Sequence, residues 1–306
     1  MAQSVKVRVP GTIANCGPGF DAVGMAGTIY NYLELTLTEQ PGVYIEVKGE
    51  GSGTIPDNEH NIAYQAVQAV FRKVGAEPCG VILRMENSIP LARGLGSSAA
   101  AIVAGLTAAN ALTGSNLSSE ELLEMATQIE GHPDNVAPAL FGGATISVAE
   151  LGKVRCLRID PAAIFTMVVA VPEFGLSTKA ARQVLPKTVP HRDAVFNVGR
   201  AAMLVGALCT GNLAYLRYVL DDRLHQPYRQ RLIPGMQRVF AAAVAQGALG
   251  AVISGAGPCL VAFTQHAPAA VGEAMVHAFA ENGVKAHYLL LDLDRSGAQI
   301  IEEDNT

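Results

Sequence analysis

Pro90-Leu91-Ala92-Arg93-Gly94-Leu95-Gly96-Ser97-Ser98-Ala99-Ala100-Ala101 is the most informative stretch of the chain. A strand-like run ends near Met85, a glycine-rich turn follows, and a long Ala- and Leu-rich helix opens at about Ser98. Glycine lets a backbone come close to a ligand and adopt positive φ. A helix start adds unpaired N–H groups and the positive end of the dipole, which favour an anion, most often phosphate. Ser97 and Ser98 add hydroxyls where a phosphate oxygen or a magnesium ion would sit. The candidate nucleotide-binding segment is therefore Pro90 to Ala100. A Rossmann fingerprint needs an early strand and an acid about 20 residues on, closing the next strand. The next acids here, Glu120 and Glu121, open a helix instead. A Walker A loop needs Gly-Lys-Ser/Thr, which the chain lacks. Taken alone, the segment also fits a glycine-rich helix cap with no ligand.

Outward from this turn, strand-like runs alternate with amphipathic helices. Residues 5–9, 28–38, 43–47, 81–85 and 144–148 read as strands, and 61–74 as a helix with Ile62, Ala66, Ala69, Val70 and Val74 on its apolar side. Ser118-Ser119-Glu120-Glu121 is a capping box for a helix ending near Glu130-Gly131. Beyond Asp160-Pro161 the pattern restarts with a strand at 165–171 and helices at 195–210 and 235–246. Strands at 251–253 and 260–264 flank Ser254-Gly255-Ala256-Gly257-Pro258, a helix at 267–281 stops at Asn282-Gly283, and 286–292 closes the sheet. The acidic tail after Gly297 reads as frayed. Strand-helix-strand-strand-helix-strand is the order of a ferredoxin-like half. Two α+β domains, 1–160 and 161–306, are expected.

Composition narrows the function classes. Of 306 residues, 50% are hydrophobic and 16% charged, which excludes a long disordered chain. The balance of 22 basic and 27 acidic residues, −5, offers no general nucleic-acid surface, so an anionic ligand must be held by local positive potential. The five cysteines lie far apart with no CxxC or zinc spacing and read as reduced thiols. The seven histidines show no metal-ligating spacing. The first ten residues lack the apolar core of a signal peptide. The longest apolar stretch, around 99–112, is interrupted by Gly, Thr and Asn and is too short for a bilayer. A cytoplasmic protein acting on small molecules, with no nucleic-acid or membrane partner, is expected.

Val7-Arg8-Val9-Pro10-Gly11-Thr12-Ile13-Ala14-Asn15-Cys16-Gly17-Pro18-Gly19-Phe20-Asp21, Leu95-Gly96-Ser97-Ser98-Ala99 and Ile253-Ser254-Gly255-Ala256-Gly257-Pro258 form an ordered set of three motifs. The set resembles that of the GHMP kinases and spans nearly the whole chain, residues 5–292. Within that superfamily the chain is most similar to the homoserine kinases. The stretches carrying this are 14–21, His132-Pro133-Asp134-Asn135-Val136-Ala137-Pro138, Ser177-Thr178-Lys179-Ala180-Ala181-Arg182 and Gln226-Pro227-Tyr228-Arg229. The resemblance implies a two-domain GHMP kinase fold, its N-terminal part ribosomal protein S5 domain 2-like and its C-terminal part a ferredoxin-like α/β sandwich. It also implies a kinase that uses ATP and Mg2+ to phosphorylate the hydroxyl of L-homoserine, in a homodimer.

Homoserine is a zwitterion with a primary hydroxyl, so its site needs a carboxylate reader, an ammonium reader and a path to the γ-phosphate. Arg182 and Arg229 suit the carboxylate, because guanidinium matches it bidentately. Asp21 and Asn15 suit the ammonium group. The resemblance assigns Asn15, Asp21, Thr178, Arg182 and Arg229 to the amino-acid pocket, and Ser98 and Glu130 to the metal. Asp134 and Asn135 are read as orienting the substrate; relatives acting on mevalonate or galactose carry an aspartate in this region that is treated as a base. Ser98, Glu130, Asp134, Asn135 and Arg182 make up the candidate catalytic set. Gly255 and Gly257 are read as supporting the nucleotide from the second domain. Many homoserine kinases carry glutamate at Gln226, and its loss is expected to loosen Arg229 or weaken ammonium binding. Two other functions fit the same motifs: a sister kinase for mevalonate, a diphosphocytidyl sugar alcohol or shikimate, and a non-catalytic nucleotide-binding regulator.

Overall fold

The computed structural model describes residues 3–114 and 117–301. Its strands are β1 (Gln3–Ala14), β2 (Val23–Thr38), β3 (Gly42–Gly49), β4 (Gly80–Asn87), β5 (Ala144–Glu150), β6 (Lys153–Ile159), β7 (Thr166–Pro172), β8 (Gly250–Ile253), β9 (Leu260–Thr264), β10 (Ala286–Leu291) and β11 (Gln299–Ile301). Its α-helices are α1 (Ile62–Val74), α2 (Ser97–Leu112), α3 (Ser119–Glu130), α4 (Pro133–Phe141), α5 (Thr178–Gln183), α6 (His191–Thr210), α7 (Leu216–Val219), α8 (Gln226–Arg229), α9 (Met236–Ala245) and α10 (Pro268–Glu281).

A seven-stranded sheet runs β11-β1-β2-β4-β3, with β5 pairing β2 and β6 extending β5; β3 and β4 are parallel and the other pairs antiparallel. A four-stranded antiparallel sheet runs β10-β7-β9-β8. That order is the ferredoxin-like one, with α9 and α10 packed on one face. Successive residues of a strand point to opposite faces. Val168 and Ala170 of β7 therefore enter the core shared with α9 and α10, while Met167, Val169 and Val171 enter the large core built on the first sheet. This double burial explains the unbroken apolar run at 167–171.

Helix α2 is apolar all round and buried along most of its length. Its small side chains let α1 come close: a Cβ on Gly105 would collide with the Ala63 carbonyl. The packing holds the start of α2 rigidly where the glycine turn meets it. The helix opens at Ser97, one residue earlier than expected, because Gly96 caps it in the left-handed conformation. At α3 the capping box is complete, with Ser118 and Glu121 each bonded to the other's backbone N–H.

Helices α4, α5, α7 and α8 and strands β6 and β11 are absent from the sequence reading. Helix α4 was hidden by two prolines and two polar residues, yet Asp134 and Asn135 are buried with Val136, Ala137 and Ala139. Pro133 stands at the helix start, where its missing N–H costs nothing. Strand β6 was hidden by three basic residues, Lys153, Arg155 and Arg158, whose spacing breaks the strand alternation. The tail after Gly297 is not frayed throughout: Asp294 Oδ1 accepts from the N–H groups of Ser296 and Gly297, and that turn sends β11 back onto β1. Residues 302–306 lie outside the described residues. Among the described residues, the helix long and apolar enough to cross a membrane is α6 rather than the 99–112 segment.

Candidate active site

One cavity of about 310 Å³ collects the dispersed candidates. Pro90 to Ser98 line it, with Asn15 and Asp21 from the loop after β1, Glu130 from the end of α3, and His132, Asp134 and Asn135 from the start of α4. Thr178 and Arg182 of α5, Arg229 of α8 and Gly255 close the other side. Ala99, Ala100 and Gly257, included in the sequence-derived set, do not line the cavity. The two alanines are fully buried in the α2 packing, and Gly257 stands behind the turn, its N–H bonded to the Ser254 carbonyl.

The glycine turn is held from behind. The carbonyls of Ala92, Arg93 and Leu95 accept from the N–H groups of Leu176 (3.0 Å), Cys259 (3.2 Å) and Thr12 (2.9 Å). The carbonyl of Gly94 accepts from Ser254 Oγ (2.6 Å). Backbone φ is positive at every second residue, Ala92, Gly94 and Gly96. Such alternation turns successive N–H groups toward one concavity that suits an anion. Among the described residues, none of the N–H groups from Arg93 to Ala99 has a protein acceptor. The Arg93 guanidinium faces away from the cavity: it donates to the carbonyls of Pro172 (2.9 Å), Leu91 (3.0 Å) and Glu173. Positive potential at the turn comes from backbone and helix end, not from that side chain.

Ser98 and Glu130 meet beside this cradle, Ser98 Oγ donating to Glu130 Oε2 at 2.9 Å. Burial raises the Glu130 pKa above the ordinary carboxylate value, and the Ser98 hydrogen bond and His132 only partly offset it. The carboxylate also lies at the unfavourable, C-terminal end of α3, next to the capping Gly131. A hard oxygen pair of this kind, one carboxylate short of positive charge and one hydroxyl, fits a divalent cation that keeps waters and phosphate oxygens as further ligands.

At the opposite end Arg182 and Asp21 form a two-pronged ion pair, Nη2 to Oδ1 at 2.7 Å and Nη1 to Oδ2 at 3.0 Å. Arg229 is 2% exposed. Its Nη1 donates to the Gly255 carbonyl (2.8 Å) and Nε to the Ala181 carbonyl (3.3 Å). Burial, then the neighbouring Arg182 charge, lowers its pKa to about 10, so it stays cationic at neutral pH. Asn15 is not a free acceptor as expected: its Nδ2 donates to the Gly255 carbonyl (2.8 Å) and its Oδ1 accepts from Asp21 N–H (2.9 Å). It aims the Asp21 carboxylate. Asn15, Cys16 and Asp21 all adopt positive φ, at a cost on the order of 1 kcal/mol each. Gln226 does not touch Arg229. Its Oε1 accepts from Ile253 N–H (2.8 Å) and its Nε2 donates to the Leu220 carbonyl (3.3 Å), a bridge in which a glutamate could not donate.

Between the two ends lie Asp134 and Asn135. His132 Nδ1 is 2.7 Å from Asp134 Oδ1, which also accepts from Asn135 Nδ2 (3.3 Å). Thr12 Oγ1 donates to Asn135 Oδ1 (2.8 Å) and locks the amide. Asp134 Oδ2 is left without a protein partner among the described residues. Histidine 132 escaped the sequence analysis, because histidines were weighed by metal spacing and not as partners of a carboxylate two residues on. Burial alone would lower its pKa, but the hydrogen bond and charge of Asp134, with Glu130, raise it above 6.5. A raised folded-state value contributes stability that is full below about pH 6.5 and is lost as pH climbs through the folded pKa. The melting temperature of wild type minus that of His132→Gln should therefore shrink as pH rises above about 6.5. A difference that grows with pH would exclude the charged pair.

Comparisons with known proteins show the family. Residues 61–143 match the GHMP kinases N terminal domain and residues 204–282 the GHMP kinases C terminal. A homoserine kinase of Moorella thermoacetica is 48% identical over 96% of this chain and 99% of its own length. The crystal structure of homoserine kinase from Cytophaga hutchinsonii superposes with a TM-score of 0.90 at 31% identity, covering 97% of each chain. The L. major mevalonate kinase structure, in complex with R-mevalonate, shares the fold at a TM-score of 0.72 and 19% identity, covering 95% of this chain and 96% of its own. The chain belongs to the homoserine kinase family of the GHMP kinases.

Proposed function

We propose that the chain transfers the γ-phosphoryl group of ATP to the hydroxyl of L-homoserine, giving O-phospho-L-homoserine and ADP. The observation that carries this reading is the shared cavity: an unpaired N–H cradle at one end and the Asp21–Arg182–Arg229 charge group at the other. An ammonium and a carboxylate on one small molecule match those charges. Mevalonate and shikimate carry no ammonium group and would leave Asp21 with Arg182 alone. The N–H groups of residues 93–99 bind the nucleotide phosphates, and Ile55, Pro56, Ile62 and Met85 of the same cavity offer an apolar wall for the base.

Asp21 takes the ammonium group, Arg182 and Arg229 the carboxylate, and Thr178 lies beside them. Asp134 and Asn135 hold the hydroxyl in line, Asp134 through its free Oδ2. A loose transition state asks little covalent help from the protein, so positioning and charge carry most of the acceleration. Ser98 and Glu130 would hold Mg2+, which when bound offsets charge on the phosphates. Ser98→Ala should raise the Mg2+ concentration needed for half-maximal ADP release about tenfold and leave the homoserine KM unchanged. An unchanged Mg2+ titration would move the metal away from Ser98.

The same reading sets the chain in the cytoplasm, divided near residue 160 into its two domains, as a homodimer. Val195, Val198 and Met203 on the outer side of α6 are 57%, 70% and 49% exposed, an apolar face that a second copy would cover. The test of function is ADP release with purified protein, Mg2+ and a panel of alcohols. Homoserine should exceed mevalonate and shikimate in kcat/KM by at least about 1000-fold, since a site that hydrogen-bonds an ammonium group rejects an alcohol lacking one. Turnover of mevalonate but not homoserine would reverse the assignment, and nucleotide binding with no turnover would favour the regulator.

A further inference from the structure

His225 is fully buried, lines no part of the cavity, and yet touches both sides of the amino-acid end. Its Nε2 lies 2.8 Å from the Gly17 carbonyl, and its Nδ1 lies 3.2 Å from Arg229 Nη1. Its ring stacks on Phe20 with centroids 5.1 Å apart, and the guanidinium of Arg229 sits 5.3 Å from that Phe20 ring. Asp222 pins the backbone here, accepting from the N–H groups of Leu224 (2.8 Å), His225 (2.8 Å) and Gln226 (2.6 Å).

These contacts fix the proton. A carbonyl can only accept, so Nε2 carries the hydrogen toward Gly17. Arginine can only donate, so Nδ1 must be the bare, accepting nitrogen toward Arg229. Burial lowers the His225 pKa in the face of Asp222, and the Arg229 charge adds to the lowering, so the ring is neutral. With Gly255, Ala181 and His225 as acceptors, three of the five guanidinium N–H groups of Arg229 are engaged. The two on Nη2 have no protein partner among the described residues.

We propose that His225 is a positioning residue for substrate recognition: its bare Nδ1 orients the Arg229 guanidinium so that Nη2 presents both hydrogens to the carboxylate of the amino-acid substrate. The inference rests on the homoserine reading of the cavity. Only the Nδ1 acceptor matters for this role; the Nε2 donor ties down the 15–21 loop.

Two substitutions separate the functions. His225→Asn places an acceptor near Nδ1 and loses the donor to Gly17. His225→Gln places a donor near Nε2 and loses the acceptor to Arg229. The homoserine KM of His225→Gln should rise about tenfold or more, because a hydrogen bond to a charged group is lost, with kcat and the ATP KM within about threefold of wild type. His225→Asn should stay within about threefold in all three. In an Arg229→Ala background, His225→Gln should add nothing further to the homoserine KM, and this cycle decides alone if the Asn variant does not fold. Equal KM effects of Asn and Gln, a loss confined to kcat, or full additivity with Arg229→Ala would overturn the inference. Should Arg229→Ala raise the homoserine KM while His225→Gln leaves it unchanged, only the role of His225 falls. If Arg229→Ala has no effect on that KM, the reading of the cavity falls with it.

Discussion

Gly94→Ala should lower kcat/KM for ATP by about 100- to 1000-fold while homoserine binding stays within about threefold. A Cβ on Gly94 would collide with the Ser254 carbonyl and lie 3.0 Å from Gly257 N and 3.1 Å from Gly257 O. These are backbone atoms of a turn whose own hydrogen bonds run to Ala14, Arg93 and Cys259, so it cannot give way cheaply. The 92–96 segment must move instead, and with it the N–H groups of 93–99. Misplacing a binding group by about 1 Å can cost on the order of 100-fold in rate. Loss of the left-handed freedom of glycine adds about 1 kcal/mol of instability, which a melt will register. Gly75→Ala is the control: φ there is +69 and a Cβ meets nothing within 4 Å, so the same backbone strain arises far from the turn. Steady-state kinetics on both variants should show the ATP effect at position 94 only. Equal kinetics for Gly94→Ala and Gly75→Ala would mean that the turn does not hold the nucleotide.

Arg229→Ala should raise the homoserine KM by about 100- to 1000-fold and the ATP KM by no more than about threefold. Two charge-assisted hydrogen bonds to a carboxylate are worth about 1.5–3 kcal/mol each, and each 1.4 kcal/mol is tenfold. The variant also strands the Ala181 carbonyl and the ring nitrogen of His225 and leaves the Gly255 carbonyl with Asn15 alone, so stability falls as well. Stability loss is separated from recognition by using 3-aminopropanol, a homoserine without its carboxylate. Wild type and Arg229→Ala should turn this alcohol over at rates within about threefold of each other. A large loss with 3-aminopropanol too would assign Arg229 to the scaffold and not to the carboxylate.

Much of the site is legible in the sequence because its parts sit where backbone geometry demands unusual residues. Gly94 and Gly96 are needed where side chains would strike Ser254 and Thr12, and a close approach of this kind leaves a visible glycine. Asp21, Arg182 and Arg229 are charged residues inside motifs otherwise poor in charge, so they stand out although 161 positions separate the first two. What stays hidden depends on partners distant in sequence. Asn15 reads as an ammonium acceptor until Gly255 and the N–H of Asp21 consume its amide. Arg93 reads as part of the nucleotide-binding segment until the β7 end supplies carbonyls for its guanidinium. Gln226 reads as a lost charge, whereas its two-sided bridge between Leu220 and Ile253 needs an amide. Helix α4 is obscured because its polar residues face a buried cavity, which inverts the usual link between polarity and exposure.

The transfer itself is tested most directly by isolating the product made from L-homoserine, Mg2+ and ATP whose γ-phosphorus is chiral through oxygen isotopes. One cavity holding the hydroxyl against the nucleotide requires O-phospho-L-homoserine with inverted configuration at phosphorus. Retained configuration, or ADP released without any phosphohomoserine, would contradict direct transfer between the two ends of this site.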